Sequence, residues 1–202
     1  MNGRKTYNKK KAIIAILFIV VLLFGFILGY FSHDFFTAPR QFYTGENILQ
    51  NSGFEEGKNE PYYWYKAIVP ADDLIVQVDE DIKYNGSRSV SLNNTHIYDE
   101  TVCNNWAQSI NEFPKERVVE LTGWVKTKDA ESVVMVIQCW NVFGNMVAFG
   151  TTQSAHEING TTDWQQYNAS VFVPNDTNSI IVRLVLTGTG EVWFDEITLI
   201  VK

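Results

Sequence analysis

The chain has 202 residues, of which 46% are hydrophobic and 14% aromatic, and a formal net charge of −7. Beyond position 40 it carries ten basic and twenty-two acidic residues, a net −12. Such a surface repels phosphate backbones, which argues against nucleic acid as a partner.

The first element read from the sequence is a membrane anchor. Residues 1–11 are a basic tail with Arg4, Lys5, Lys9, Lys10 and Lys11, and residues 12–31 are an apolar run without a charge. A helix of about twenty residues rises roughly 30 Å, the thickness of a bilayer's hydrocarbon core. A cleaved signal peptide has a shorter apolar core, about 7–15 residues, followed by a small-residue cleavage site. Here Pro39 directly follows Ala38, the one suitable small residue, and no cysteine precedes Cys103 to accept a lipid. The reading is therefore a retained, single-pass transmembrane helix over 12–31, in contact with the lipid bilayer. Basic residues stay on the cytoplasmic side, so the tail is expected inside the cell membrane and everything after the helix outside. Tyr30, Phe31, Phe35 and Phe36 would meet the outer interface. Residues 32–44 read as a short juxtamembrane spacer, with His33 an interfacial residue.

Residues 45–202 suffice for one domain with a sizeable core. In chain order, strands are predicted over 74–78, 87–92, 118–126, 133–140, 146–152, 165–173, 180–187 and 192–200, where β-branched and aromatic residues alternate with polar ones. Turn signals separate them at Asn85-Gly86, Gly144-Asn145, Asn159-Gly160, Pro174-Asn175-Asp176 and Gly188-Thr189-Gly190, the last read as a hairpin. No segment after the anchor keeps a 3.6-residue period. The economical solution is an all-β jelly-roll sandwich of eight to ten antiparallel strands, since two stacked sheets bury one face of every strand. Trp64, Trp124, Trp164, Phe172 and Trp193 are expected in its core. Cys139 stands mid-strand like a small buried hydrophobe, and Cys103 and Cys139 are expected to be unpaired.

Motifs of catalysis are absent: there is no G-x-S-x-G, H-E-x-x-H, P-loop or paired C-x-x-C. His33, His96 and His156 are isolated. The acid pairs Asp72-Asp73 and Asp99-Glu100 keep open a glycan-active hydrolase, which needs two facing carboxylates. The expectation is a protein that is not an enzyme.

Seven pieces follow one another across the whole domain. They are the opening Asn47-Ile-Leu-Gln-Asn-Ser-Gly-Phe-Glu-Glu-Gly57, then Trp64, Asn85-Gly-Ser-Arg-Ser-Val-Ser-Leu92 and Trp106-Ala-Gln-Ser-Ile110. Leu121-Thr-Gly-Trp-Val-Lys126, Trp164-Gln-Gln-Tyr167 and the close Trp193-Phe-Asp-Glu-Ile-Thr-Leu199 complete the set. In this order and spacing they resemble the CenC-like carbohydrate-binding modules of cellulases and xylanases, of families four, nine and twenty-two, with a galactose-binding-domain-like jelly roll. The resemblance implies a non-catalytic domain that binds a polysaccharide or other glycan on the concave face of one sheet. It also implies a structural calcium tying the first strand to the last. The matching positions are the backbone at Gly53, the side chain of Glu55, the backbone at Gly86 and the carboxylate of Asp195; calcium needs several oxygens, which loop carbonyls and one or two acids supply. The competing reading of those acids is that they accept hydrogen bonds within turns.

Period-two alternation selects which residues face a ligand. Ile180, Val182, Leu184 and Leu186 read as core, leaving Arg183 and Val185 outward. Val133, Met135, Ile137 and Cys139 read as core, leaving Gln138 and Trp140 outward. Tyr65, Asn105 and Ser109 join Trp140, Gln138 and Arg183 as candidate carbohydrate-binding residues. A one-residue slip in register would exchange each set. Five N-x-S/T sequons lie at Asn85, Asn93, Asn159, Asn168 and Asn175; Asn85, beside the calcium-loop positions, is the least suited to modification. Another reading of the same fold is a cell-surface adhesion domain directed at a protein partner.

Overall fold

The computed structural model describes residues 40–202, so the expected basic tail, the transmembrane helix and most of the spacer lie outside the described residues. Within the described residues no helix is long and apolar enough to cross a membrane, and the only helical element is a single 3-10 turn, Thr152–Ser154. The rest is strand and loop. The strands are β1 (Tyr65–Ala67), β2 (Leu74–Asp79), β3 (Ser89–Asn94), β4 (Cys103–Ile110), β5 (Val118–Trp140), β6 (Met146–Thr151), β7 (Ile158–Phe172), β8 (Ser179–Thr187) and β9 (Gly190–Val201).

All pairings are antiparallel, and β5 organises them. The first part of this 23-residue strand lies between β7 and β9, and its second part between β6 and β8. One layer therefore reads β2-β3-β9-β5-β7 and the other β1-β4-β8-β5-β6. Three register shifts against β7, between Val125 and Val133, mark where β5 passes from one layer to the other. Bulges bend a strand and sharpen its twist, which such a passage requires.

Where two separate strands were predicted over 118–126 and 133–140, the chain thus makes one. The turn expected at Asn159-Gly160 is the positive-φ Gly160 inside β7, opposite Ala130 at the same bend. Nor is Gly188-Thr189-Gly190 a hairpin. β8 and β9 pair with different parts of β5, so this turn carries the chain from one layer to the other. Gly188 and Gly190 both have positive φ, and a Cβ on Gly190 would overlap the backbone of Ala130.

The core lies between the layers. Trp106, Phe54 and Phe194 are its largest fully buried side chains, and the Trp106 indole donates from Nε1 to the Ser91 carbonyl at 3.2 Å. Of the five aromatics expected inside, only Trp64 joins this cluster. Trp193 is buried outside the cluster, donating from Nε1 to Asp79 Oδ2 at 2.8 Å. Trp124 and Trp164 are half-buried, and Phe172 is 55% exposed. For Trp124 the reason is Gly123. It takes the inward position between Leu121 and Val125, where a Cβ would overlap the Ile197 side chain. Trp124 is thereby turned outward, and Tyr84 stacks on it with ring centroids 3.8 Å apart. Cys103 and Cys139 are both free, the first exposed and the second buried.

Candidate ligand-binding face

The outward face of the layer β1-β4-β8-β5-β6 collects the side chains singled out by alternation. Register places Tyr65, Ala107, Arg183 and Val136 in one cross-strand row, and Ser109, Ile181, Gln138 and Phe149 in the next. Residues directly opposite across a pair point to the same face. Ile180, Val182, Leu184 and Leu186, with Val133, Met135, Ile137 and Cys139, are all buried on the other side.

Arg183 ties the rows together. Its half-buried guanidinium donates from Nε to Gln138 Oε1 at 2.9 Å and from one Nη to Asn105 Oδ1 at 3.0 Å. The Asn105 amide donates to the carbonyls of Ala67 and Cys103, both at 3.0 Å. Tyr65, 39% exposed, and Ser109 share a hydroxyl–hydroxyl hydrogen bond of 3.2 Å. Gln138, Arg183, Asn105, Tyr65 and Ser109 are thus brought into one polar patch. Trp140 sits one alternation beyond Gln138, half-buried, with its indole Nε1 enclosed and without a hydrogen-bond partner.

Sequence reasoning missed two things here. The first is Phe149, 61% exposed and opposite Gln138. The alternation of β6 was readable, but its direction was not, because register against β5 shifts between Cys139 and Trp140. The second is β4 itself, the strand that carries Asn105 and Ser109. Alternation put Asn105 and Ser109 outward, but no strand was predicted over 103–110, and the inward positions of β4 include the amides Asn104 and Gln108. Both are buried, and both are satisfied: Asn104 Oδ1 accepts from Val69 N at 2.9 Å, and Gln108 exchanges two 2.9 Å bonds with the backbone of Gln50.

The four residues matched to a calcium site gather around the 84–88 loop. Asp195 is fully buried; its Oδ2 accepts from Tyr84 N at 2.9 Å and Asn85 N at 3.0 Å, and its Oδ1 from Glu196 N at 2.8 Å. Burial pushes the Asp195 carboxyl up, against the pull of those three N–H donors. Glu55 accepts from the Ser87 and Arg88 backbone and from the Ser87 hydroxyl, and these bonds outweigh desolvation and hold its carboxyl below the usual glutamate value. A Cβ on Gly86 would overlap the Glu55 carboxylate, and Gly53 lies against Glu196 Oε1. Asn85 donates its side-chain amide to Glu196 at 2.9 Å, which occupies the sequon side chain. The Glu55 and Asp195 carboxylates thus both meet the 84–88 loop, and in this structure they accept its N–H and O–H donors, as the turn hydrogen-bond reading expects. Among the described residues, no three or more His, Cys, Asp or Glu side chains form a metal-holding group.

At one end of the sandwich lie two clefts of about 370 and 390 Å³, one lined by Asp99, Glu100 and Glu131 and the other by Lys128, Asp129 and Glu191. None of the six candidate sugar-binding residues lines either cleft.

With this geometry in place the solved structures are informative. The xylan-binding CBM22-1 domain of Paenibacillus barcinonensis Xyn10C superposes with a TM-score of 0.58 at 16% identity, covering 80% of this chain and 97% of that one. The fold is that of the carbohydrate-binding-module jelly rolls. TmCBM61, solved with β-1,4-galactotriose, matches with a TM-score of 0.51 at 19% identity over 78% of this chain and 99% of its own. The enzymatically active domain of tailspike protein 4 from bacteriophage CBA120 matches at 0.59 and 17% identity, over 77% of this chain but 21% of that one. Among curated proteins, the uncharacterized HTH-type transcriptional regulator YbfP of Bacillus subtilis strain 168 is 24% identical over 124 residues. That stretch spans 59% of this chain and 41% of the regulator. No family model matches the chain.

Proposed function

We propose that this protein is a non-catalytic glycan-binding module, displayed outside the cell on an N-terminal membrane anchor, that holds a poly- or oligosaccharide on the outward face of β1-β4-β8-β5-β6. The observation that carries the reading is the Asn105–Arg183–Gln138 network. It fixes donors and acceptors on an open sheet face, between the exposed rings of Tyr65 and Phe149. Aromatic rings cover the apolar face of a sugar while amides and a guanidinium bond its hydroxyls, the usual division of labour in a small-molecule site. The xylan-binding and galactotriose-binding neighbours support the same assignment at the level of the fold.

A glycan-array screen of the full chain in detergent, with and without calcium, tests the reading; failure to retain any glycan would sink it. Trp140→Ala is expected to weaken binding strongly. Its folding cost should fall between the roughly 1 kcal/mol of an exposed site and the about 3–5 kcal/mol of a fully buried tryptophan.

Calcium is the proposed structural cofactor, held by Glu55 and Asp195 with main-chain oxygens at Gly53 and Gly86. A ligand confined to the native state raises stability by about 2.7 kcal/mol at a hundredfold excess over its Kd. Chelator should therefore lower the melting temperature, and Asp195→Ala should remove the calcium dependence. A melting curve unmoved by chelator would dismiss the ion.

A hydrolase reading finds its footing in the cleft shared by Asp99, Glu100 and Glu131. Release of reducing ends from a bound polysaccharide, abolished by Glu131→Gln, would favour it over simple binding.

A further inference from the structure

The proposed face carries a charge that nothing on it neutralises. Of the residues that the five strands turn outward, Arg183 alone is charged. Its two hydrogen-bond acceptors, Gln138 Oε1 and Asn105 Oδ1, are neutral amides, and no carboxylate pairs with it among the described residues. Both amides fix the plane of the guanidinium without discharging it. A guanidinium has five N–H donors, so three remain unused, including both on the second Nη.

The surroundings sharpen this charge. Ala107 is fully buried beside Arg183 in its row, Val136 stands on its other side, and Val185 is buried along the same strand. An ionic hydrogen bond strengthens where the neighbours are apolar and water is partly excluded. Holding a half-desolvated cation between neutral acceptors is costly unless a ligand supplies the missing anion. A planar fork with free N–H donors matches the two oxygens of a carboxylate or a sulfate, where a lone sugar hydroxyl would use only part of it.

We propose that the glycan recognised by this face is acidic, and that it places an oxyanion, a uronate carboxylate or a sulfate ester, on the free Nη edge of Arg183. This rests on the reading of the face as a glycan site. It also concentrates discrimination at one residue. The domain carries a net −12 beyond position 40, so its long-range field opposes a polyanion, and the attraction must be local.

Affinity electrophoresis of the full chain in non-denaturing detergent tests the proposal. Polygalacturonate, alginate and glucuronoxylan are each compared with their carboxyl-reduced forms, dextran sulfate with dextran, and neutral xylan is run alongside. The expected result is at least tenfold tighter binding to one acidic polymer than to its neutral counterpart. The uronate and sulfate pairs identify which oxyanion is read. Arg183→Gln should weaken binding to the acidic member far more than to the neutral one, bringing the preference within about twofold, and Arg183→Lys, which keeps the charge but loses the fork, should retain part of the preference. If Arg183→Gln does not fold, the wild-type preference and Arg183→Lys decide. Equal binding to acidic and neutral members of every pair, or a preference that survives Arg183→Gln, overturns the acidic ligand and leaves the glycan site standing. Binding to none of these polymers overturns the glycan site and the acidic ligand with it.

Discussion

Burial raises the Cys139 thiol to about 11, a shift that its contact with the Thr177 hydroxyl only partly offsets, whereas Cys103 lies exposed at the start of β4. A thiol is reactive through its thiolate, so the two should differ in rate. Iodoacetamide should label one cysteine per chain in the native protein and two in denaturant, with mass spectrometry placing the native label on Cys103. A second prediction concerns Glu55. Its carboxyl is held below the ordinary value of 4.5 by bonds from Ser87 and Arg88 that exceed the desolvation it suffers. Lowered in the folded state, it contributes stability above 4.5 that disappears as pH falls through the folded value. Asp195 has the opposite sign: its raised carboxyl favours the fold at acid pH and loses that contribution as pH rises. Glu55→Gln should therefore flatten the fall in melting temperature between about pH 5 and pH 3. Because Glu55 is exposed, the effect should be small and should shrink with added salt. An unchanged acid limb would show that the bonds from the 87–88 backbone carry no such weight.

At the scale of elements, β5 is the strand on which both layers depend, and the Gly188–Gly190 passage must clear it. Gly190 has φ near +115° and packs against Ala130, so an alanine there meets both an unfavourable backbone conformation and a clash. Gly190→Ala should cost at least the roughly 1–3 kcal/mol typical of a strained residue, read from a urea titration; Gly144→Ala, at an open turn, should cost less. Alternation was enough to read β8 and the second part of β5, because Ile180, Val182, Leu184 and Leu186, and Val133, Met135, Ile137 and Cys139, are uniformly apolar and all buried. In β4 it picked Asn105 and Ser109 correctly without showing a strand, because Asn104 and Gln108 face inward and bond loop backbone that no local pattern announces. It failed around Gly123, since a glycine at a core position hands its neighbour Trp124 the appearance of the buried residue. The turn at Gly188 was legible as a positive-φ site. The direction in which the chain leaves it depends on pairing with distant parts of β5, which no local signal encodes. The patch around Arg183 was legible residue by residue; its joining through Gln138 and Asn105 required the register of three strands.

For the whole molecule, the expected anchor and orientation make a prediction separable from the ligand. Protease added to intact cells should degrade residues 45–202 and leave the basic tail protected, and N-terminal sequencing of the mature protein should find Met1 or Asn2. A mature chain starting near Pro39 would show that the apolar segment is removed. An uncharged 12–31 segment behind five basic residues is the basis for the expectation.

One further property follows from how the described chain closes on itself. Gly45 N and Ile48 N donate to the carbonyls of Val201 and Leu199, Val201 N donates back to Glu46, and Arg117 bonds the Lys202 carbonyl. Entry and exit of the domain are therefore stitched side by side along β9. A unit whose ends meet can be spliced into a host polypeptide at a single point without prising the host apart. The same jelly roll is thus portable in geometry: its surroundings can be exchanged while the two ends stay paired along β9.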